Sequence, residues 1–269
     1  MPTGKRVAVA AVAVLATGSV ALGTGALLAP AESETPPGLV LTADGTPGMT
    51  VTGAGQFRAS GATKVSIGVP VLSDGRASLA SGPGGALPRA VRFPGYVASG
   101  GYPRAVLRLA PTAGGGLDPG AADFRFGAVV RLDQTSSGRS DDNGDNVFQR
   151  GLWNEGAQFK LELDSARPAC AVRGSAGRVV VHSSVWIPRG VWYRLTCTRV
   201  QGVVTVEAVR YGSTATPVRT SVAAPTGTLT FATGRPVAVG GKLTPAGGID
   251  AAASDQFNGE IAQVFAEVS

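Results

Sequence analysis

The chain has 269 residues, 43% of them hydrophobic and only 16% charged, with 39 Gly and 18 Pro. That balance excludes a disordered tail, a coiled coil and a multi-span membrane protein, each of which needs a composition this chain lacks. The formal charge of +6 comes from 24 Lys+Arg against 18 Asp+Glu, scattered singly, which predicts solvated strand faces and no nucleic-acid partner, because phosphate binding rewards bases gathered on one strip.

The first feature in chain order is a leader. Lys5 and Arg6 precede an uncharged run over residues 7–31 that closes on Ala29, Pro30 and Ala31. A positive start, an apolar middle and an A-x-A site make residues 1–31 a signal peptide. An uncleaved membrane anchor is the alternative, since such a run can also span a bilayer of about 30 Å. Thr17, Gly18, Ser19, Gly23, Thr24 and Gly25 dilute the apolar stretch and favour cleavage. Both readings put the body outside the cell, secreted if the leader is cut and surface-anchored if it is retained. The membrane is a partner only in the second case.

Residues 32–48 read as a flexible tether, because Pro36, Pro37, Gly38, Asp44, Gly45, Pro47 and Gly48 interrupt any periodic pattern. Residues 49–269 form the expected domain. Strands are faint over residues 54–85 and clear from Arg89 onward, where short β-favouring runs recur between Gly, Pro, Asp and Asn. Phe159, Leu161 and Leu163 alternate with Lys160, Glu162 and Asp164, as a half-buried strand requires. Tyr193, Leu195 and Cys197 share one face, and Trp192, Arg194, Thr196 and Thr198 the other. Gln201-Gly202 predicts a tight hairpin turn. Residues 261–268 are apolar on both sides, which predicts a strand covered on both faces. No helix-length amphipathic segment follows the leader, so the fold class is all-β, a two-sheet antiparallel jelly-roll sandwich. Cys170 and Cys197 are too far apart for a CxxC clip and have no neighbouring His; in an exported chain they predict a disulfide.

Taken in order, DFRFGAVVRL, GDNVFQRG, QFKLEL, PACAVRG, GVWYRLTCTR, PVAVGGK and DQFNGEIAQV resemble the secreted bacterial laminin-G-like domains of the concanavalin A-like lectin/glucanase superfamily. The likeness covers residues 90–269 well and 49–89 weakly. It implies two curved antiparallel sheets that recognise carbohydrate or protein, in some members with calcium at the rim.

A glucanase of that superfamily places three carboxylates at alternate positions of one strand, resembling E-x-D-x-x-E. Glu162 and Asp164 share a face here, but Ser165, Ala166, Arg167 and Pro168 follow, so the acid/base partner is missing. His182 is the sole histidine, and no G-x-S-x-G elbow accompanies it; it reads as a strand-surface or edge residue. The densest set of oxygen ligands is residues 140–146. Asp141, Asn143 and Asp145 are the candidate metal ligands, for calcium, with Asp255 and Asn258 joining only if the two loops meet. Trp153, in the turn GLWNEG, is the candidate ligand platform, while Trp186 and Trp192 read as strand residues filling the core. The resulting expectation is a noncatalytic extracellular domain that binds glycan or protein through rim loops, with calcium as an optional cofactor. A divergent polysaccharide hydrolase using Glu162 and Asp164 is the alternative, and a structural envelope domain without a small ligand is a third.

Overall fold

The computed structural model describes residues 38–98, 101–112, 116–137 and 139–269, so the leader expected over residues 1–31 lies outside the described residues. In chain order the strands are β1 (Leu39–Ala43), β2 (Phe57–Ser60), β3 (Val65–Gly68), β4 (Val71–Leu72), β5 (Ser78–Gly84) and β6 (Leu87–Arg92). There follow β7 (Arg104–Ala105), β8 (Leu107–Pro111), β9 (Phe124–Leu132), β10 (Asp145–Arg150), β11 (Gln158–Asp164) and β12 (Arg167–Gly174). The last six are β13 (Gly177–His182), β14 (Trp192–Val200), β15 (Val203–Arg210), β16 (Val218–Ala223), β17 (Val237–Val239) and β18 (Gly259–Val268). Among the described residues the one helical element is a single 3-10 turn at Ala54–Gln56.

Two antiparallel sheets carry almost all of these strands, as the alternating patterns predict. The nine-stranded sheet runs β16-β15-β14-β9-β18-β1-β2, with β6 paired to β18 and β5 to β6. The seven-stranded sheet runs β13-β12-β11-β10-β17-β8-β3, and β4 and β7 form a separate short ladder. The core is where their inner faces meet: Phe126 of β9 packs on Phe148 of β10 and Phe159 of β11, with ring centroids 5.6 and 4.8 Å apart. This is the jelly-roll sandwich.

Several local readings hold at the level of register. Gln201 and Gly202 both take left-handed backbone, with φ of 48° and 76°, and join Val200 to Val203. That is the turn geometry whose twist suits paired antiparallel strands. Strand β18 lies between β9 and β1 with β6 alongside, and is buried along most of its length. Cys170 of β12 and Cys197 of β14 are bonded, with Cα atoms 5.6 Å apart. Because β12 and β14 belong to different sheets, the bond is a staple across the core.

The segment read as a tether contains a strand. Leu39–Ala43 pairs with β18 on one side and β2 on the other, and Leu39 and Leu41 are buried. The Pro and Gly residues around it bound the strand; within LVLTA the apolar alternation wins, because Leu39, Leu41 and Ala43 all reach the core. The faint stretch over residues 54–85 likewise holds β2, β3, β4 and β5.

Candidate functional site

Two loops distant in sequence meet at one end of the sandwich, where β10, β14 and β18 begin and β9 ends. The segment before β10 and the segment before β18 are tied by backbone bonds: Ser254 N–H donates to the Asp141 carbonyl at 2.8 Å and Asn146 N–H to the Asp255 carbonyl at 2.9 Å. Side chains complete the join. Gln256 N–H donates to Asp142 Oδ1 at 2.9 Å. Asn258 Nδ2 donates to Asp145 Oδ1 at 2.8 Å, and Ser136 N–H to Asp145 Oδ2 at 3.2 Å. The Tyr102 hydroxyl donates to Asn258 Oδ1 at 3.1 Å.

Burial dominates the electrostatics here. Asp142 and Asp145 are both wholly buried. Desolvation pushes the Asp145 carboxyl up to about 7, the Asn258 and Ser136 donors opposing it and the charge of Asp142 adding to it. Desolvation likewise lifts Asp142 to about 6, opposed by the neighbouring Tyr102, Gln256 and Ser136 donors and reinforced by Asp255. Burial also drives the Tyr102 hydroxyl well above its ordinary range.

The calcium set of Asp141, Asn143 and Asp145 does not converge. Asp141 accepts from Arg139 Nε at 2.8 Å and Arg104 Nη2 at 2.5 Å, and these guanidiniums, Arg139 first, hold its carboxyl down at about 2. Asn143 points outward and is exposed, while Asp145 is enclosed by the donors of Ser136 and Asn258. Asp255 and Asn258 do approach the loop, but Lys242 is ion-paired with Asp255, and Lys160 lies 3.7 Å from it. Among the described residues no group of three or more His, Cys, Asp or Glu side chains is arranged to hold a metal ion. A cation wants six to eight oxygens; here Asp141 faces arginine, Asp145 faces amide hydrogens, Asp255 is paired with Lys242, and Asn143 stands apart in solvent. A chelator is therefore expected to leave the thermal midpoint within roughly 1 °C of its value in excess calcium, since a ligand that does not bind the folded state does not stabilise it. Differential scanning calorimetry in the two buffers checks this.

The hydrolase pair sits on the outer face of the seven-stranded sheet. Opposite core-facing Phe159, Leu161 and Leu163, the side chains of Lys160 and Glu162 turn outward and are ion-paired with each other. Asp164 is exposed, at the β11–β12 turn where Ser165 and Ala166 adopt left-handed backbone. The two carboxylates are therefore differently engaged, one bound to lysine and one in solvent, with no third carboxylate next along the strand. His182 ends β13, the edge strand of this sheet, opposite Ala169. Ser183 Oγ accepts from Val185 N–H at 3.2 Å, so it caps a turn.

The three tryptophans divide differently from the sequence reading. Trp153 is 67% exposed in the loop joining β10 to β11, as its turn context predicts. That loop is at the end of the seven-stranded sheet opposite Asp145, so the two features singled out in the sequence are not brought together. Trp186 is not a core strand residue: it is 60% exposed in the loop between β13 and β14, with the Arg167 guanidinium 5.1 Å from its ring centre. The flanking Ser183, Ser184, Pro188 and Gly190 were the available signal for a loop. Trp192 opens β14 but faces outward, half-buried, against Leu87, Ala90, Val129 and Ala262.

No protein-family model matches the sequence, and no curated protein matches it. Solved structures do match in shape. The enzymatically active domain of tailspike protein 2 from bacteriophage CBA120 is 15% identical with a TM-score of 0.48, covering 84% of this chain and 30% of its own. The binding domain of botulinum neurotoxin serotype G is 10% identical with a TM-score of 0.46, covering 86% and 46%. An endo-1,3-beta-glucanase from Streptomyces sioyaensis is 14% identical with a TM-score of 0.42, covering 86% and 97%. The chain thus spans under half the length of the first two.

Proposed function

We propose that the protein is a noncatalytic recognition domain working outside the cell, which binds glycan or protein through loops at the rim of its sandwich, without calcium. The observation that carries this reading is the rim around Trp186. Its indole is held against Arg167 while 60% of the residue stays in solvent, so a flat apolar surface is presented with little rotamer freedom left to lose on binding. The inter-sheet disulfide fits an oxidising compartment. Catalysis is disfavoured because Glu162 is occupied by Lys160, whereas a glycosidase needs two carboxyl groups free for separate proton-transfer and nucleophilic roles.

The test is a retention assay of the purified protein on insoluble glucans, chitin, peptidoglycan and a protein array, with a turnover assay on the same glucans. Trp186→Ala is expected to weaken retention by about tenfold or more, the loss of one stacking surface. Trp153→Ala, at the opposite end, is expected to change it by less than about twofold. Sugar release that Glu162→Gln abolishes would overturn the reading in favour of a hydrolase. Retention by none of the materials would leave a structural envelope domain.

A further inference from the structure

We infer that Asn143 and Gly144, in the rim loop before β10, are a site of spontaneous covalent modification, where Asn143 loses its side-chain amide to become aspartate or isoaspartate and the join between the two rim loops is loosened. The modification needs no ligand, so its test is independent of the recognition reading.

The chemistry asks for an asparagine side chain that nothing holds, a following nitrogen with no β-carbon in the way, and an N–H on that nitrogen not committed elsewhere. The chain has two Asn-Gly pairs, Asn143-Gly144 and Asn258-Gly259. Glycine meets the second condition in both; they differ in the other two. Asn143 is exposed, and neither its side chain nor the Gly144 N–H has a hydrogen-bond partner among the described residues. Asn258 is 1% exposed. Its Nδ2 donates to Ser136 Oγ at 2.6 Å and to Asp145 Oδ1 at 2.8 Å, and its Oδ1 accepts from the Tyr102 hydroxyl. Gly259 is already in the ladder of β18 and β9, opposite Leu132. One pair is free to react and the other is locked.

The step consumes only water. The Gly144 backbone nitrogen attacks Asn143 Cγ, and the new N–Cγ bond closes a succinimide ring. The bond from Cγ to Nδ2 breaks, and ammonia leaves with the proton that Gly144 gives up. Water then opens the ring at one of its two carbonyls. Opening at Cγ gives aspartate. Opening at the main-chain carbonyl gives isoaspartate, in which the main chain runs on through Cβ and Cγ and is longer by one carbon.

Position makes that carbon matter. Asp142 and Asp145, on either side, are wholly buried, the first held by the Gln256 N–H at 2.9 Å and the second by Asn258. These contacts tie the segment before β10 to the segment before β18. A carbon–carbon bond of about 1.5 Å inserted between two fixed anchors displaces one of them, because an interior packed to crystal density has no slack to absorb it.

The experiment holds the full protein at pH 8 and follows its peptides by mass spectrometry with fragmentation, and isoaspartate by enzymatic methylation. Asn143 is expected to gain about 1 Da and to yield isoaspartate, with Asn258 unchanged. Gly144→Ala should slow the conversion by at least about tenfold. A β-carbon there would meet nothing nearer than 3.5 Å, so this variant keeps the fold; Asn143→Gln, at an exposed position, should abolish the conversion. The thermal midpoint of the converted protein should fall by about 3 °C or more, whereas Asn143→Asp, which adds the charge without the carbon, should stay within about 1 °C of the fresh protein. An unconverted Asn143, an Asn258 that converts as fast, or a Gly144→Ala variant that converts at the wild-type rate overturns the site. An unshifted midpoint after conversion, or an equal fall in Asn143→Asp, overturns the loosening of the join.

Discussion

Replacing Cys170 and Cys197 together by alanine is expected to lower stability by about 3.5 kcal/mol in the loop-entropy account of a cross-link. The bond closes a sequence separation of 27 residues, and both side chains are fully buried. The bond joins β12 and β14, which sit in opposite sheets and share no backbone hydrogen bonds. Alanine is the right replacement, since serine would bury a hydroxyl among Val172, Val181, Leu195 and Val206 with no partner. For a body of this size the thermal midpoint should fall by roughly 10 °C. Urea unfolding of the double variant measures the free energy, and reduction of the wild type with dithiothreitol should reproduce it. A loss below about 1 kcal/mol would mean that packing alone aligns the sheets and that the staple is incidental.

The second large effect is an inverted dependence on pH. An acid whose pKa is higher folded than unfolded keeps its proton in the fold after the unfolded chain has released it, so stability falls as pH rises through that window. Asp142 and Asp145, lifted from 3.8 to about 6 and about 7, place the window between about pH 4 and pH 7. Ionising Asp145 costs the fold on the order of 4 kcal/mol, and Asp142 somewhat less. Asp141 acts with the opposite sign: held at about 2 by Arg139 and Arg104, it adds stability that disappears only as pH falls from about 4 toward 2. Maximum stability is therefore expected near pH 4–5, with a loss of several kcal/mol by pH 8.

Asp142→Asn separates this cause from others. Asp142 Oδ1 accepts from Gln256 N–H, which an amide oxygen can also do, while Oδ2 is buried without a hydrogen-bond partner. The Tyr102 hydroxyl, which donates to Asn258 and lies beside Asp142, can accept a hydrogen from an amide nitrogen at that position. An amide nitrogen at the Oδ2 position removes the buried charge and offers a hydrogen where none now exists. The variant should gain on the order of 2 kcal/mol at pH 8, change little at pH 4.5, and flatten the slope between them. Urea unfolding at both values decides it: a wild type more stable at pH 8, or a variant weakened at both, removes the buried acids as the cause.

Much of the architecture was legible because strand patterning is a local property. Alternation in QFKLEL assigns Phe159, Leu161 and Leu163 inward and Lys160 and Glu162 outward, and the structure agrees. The turn at Gln201-Gly202 follows from two adjacent residues and their left-handed backbone. The error at Leu39–Ala43 shows how this reasoning fails. Pro and Gly on both sides outweighed a five-residue alternation whose partners, Val264 and Ala266, are more than two hundred positions away.

The candidate sites were less legible, because alternation says which way a side chain points and nothing about what lies over it. Lys160 is outward by period, yet Asp255, reached through a distant loop, lies 3.7 Å from it and the residue is buried. Asp141 and Asp145 look alike in sequence, two acids in one polar loop. One lies between two arginines with its pKa held down; the other is sealed behind Asn258, a partner 113 positions on, with its pKa pushed up. Trp186 and Trp192, both expected in the core, lie exposed in a loop and half-buried on an outer face for the same reason.

The strand class, the inner and outer faces of the clearest strands, one hairpin and the expectation of a cysteine pair all follow from local residue order, because backbone geometry over two to eight residues sets them. Where β1 inserts, which acids are paired or buried, and which tryptophans reach solvent were settled by packing. Those outcomes depend on desolvation and on contacts between segments remote in the chain, and no local pattern carries either.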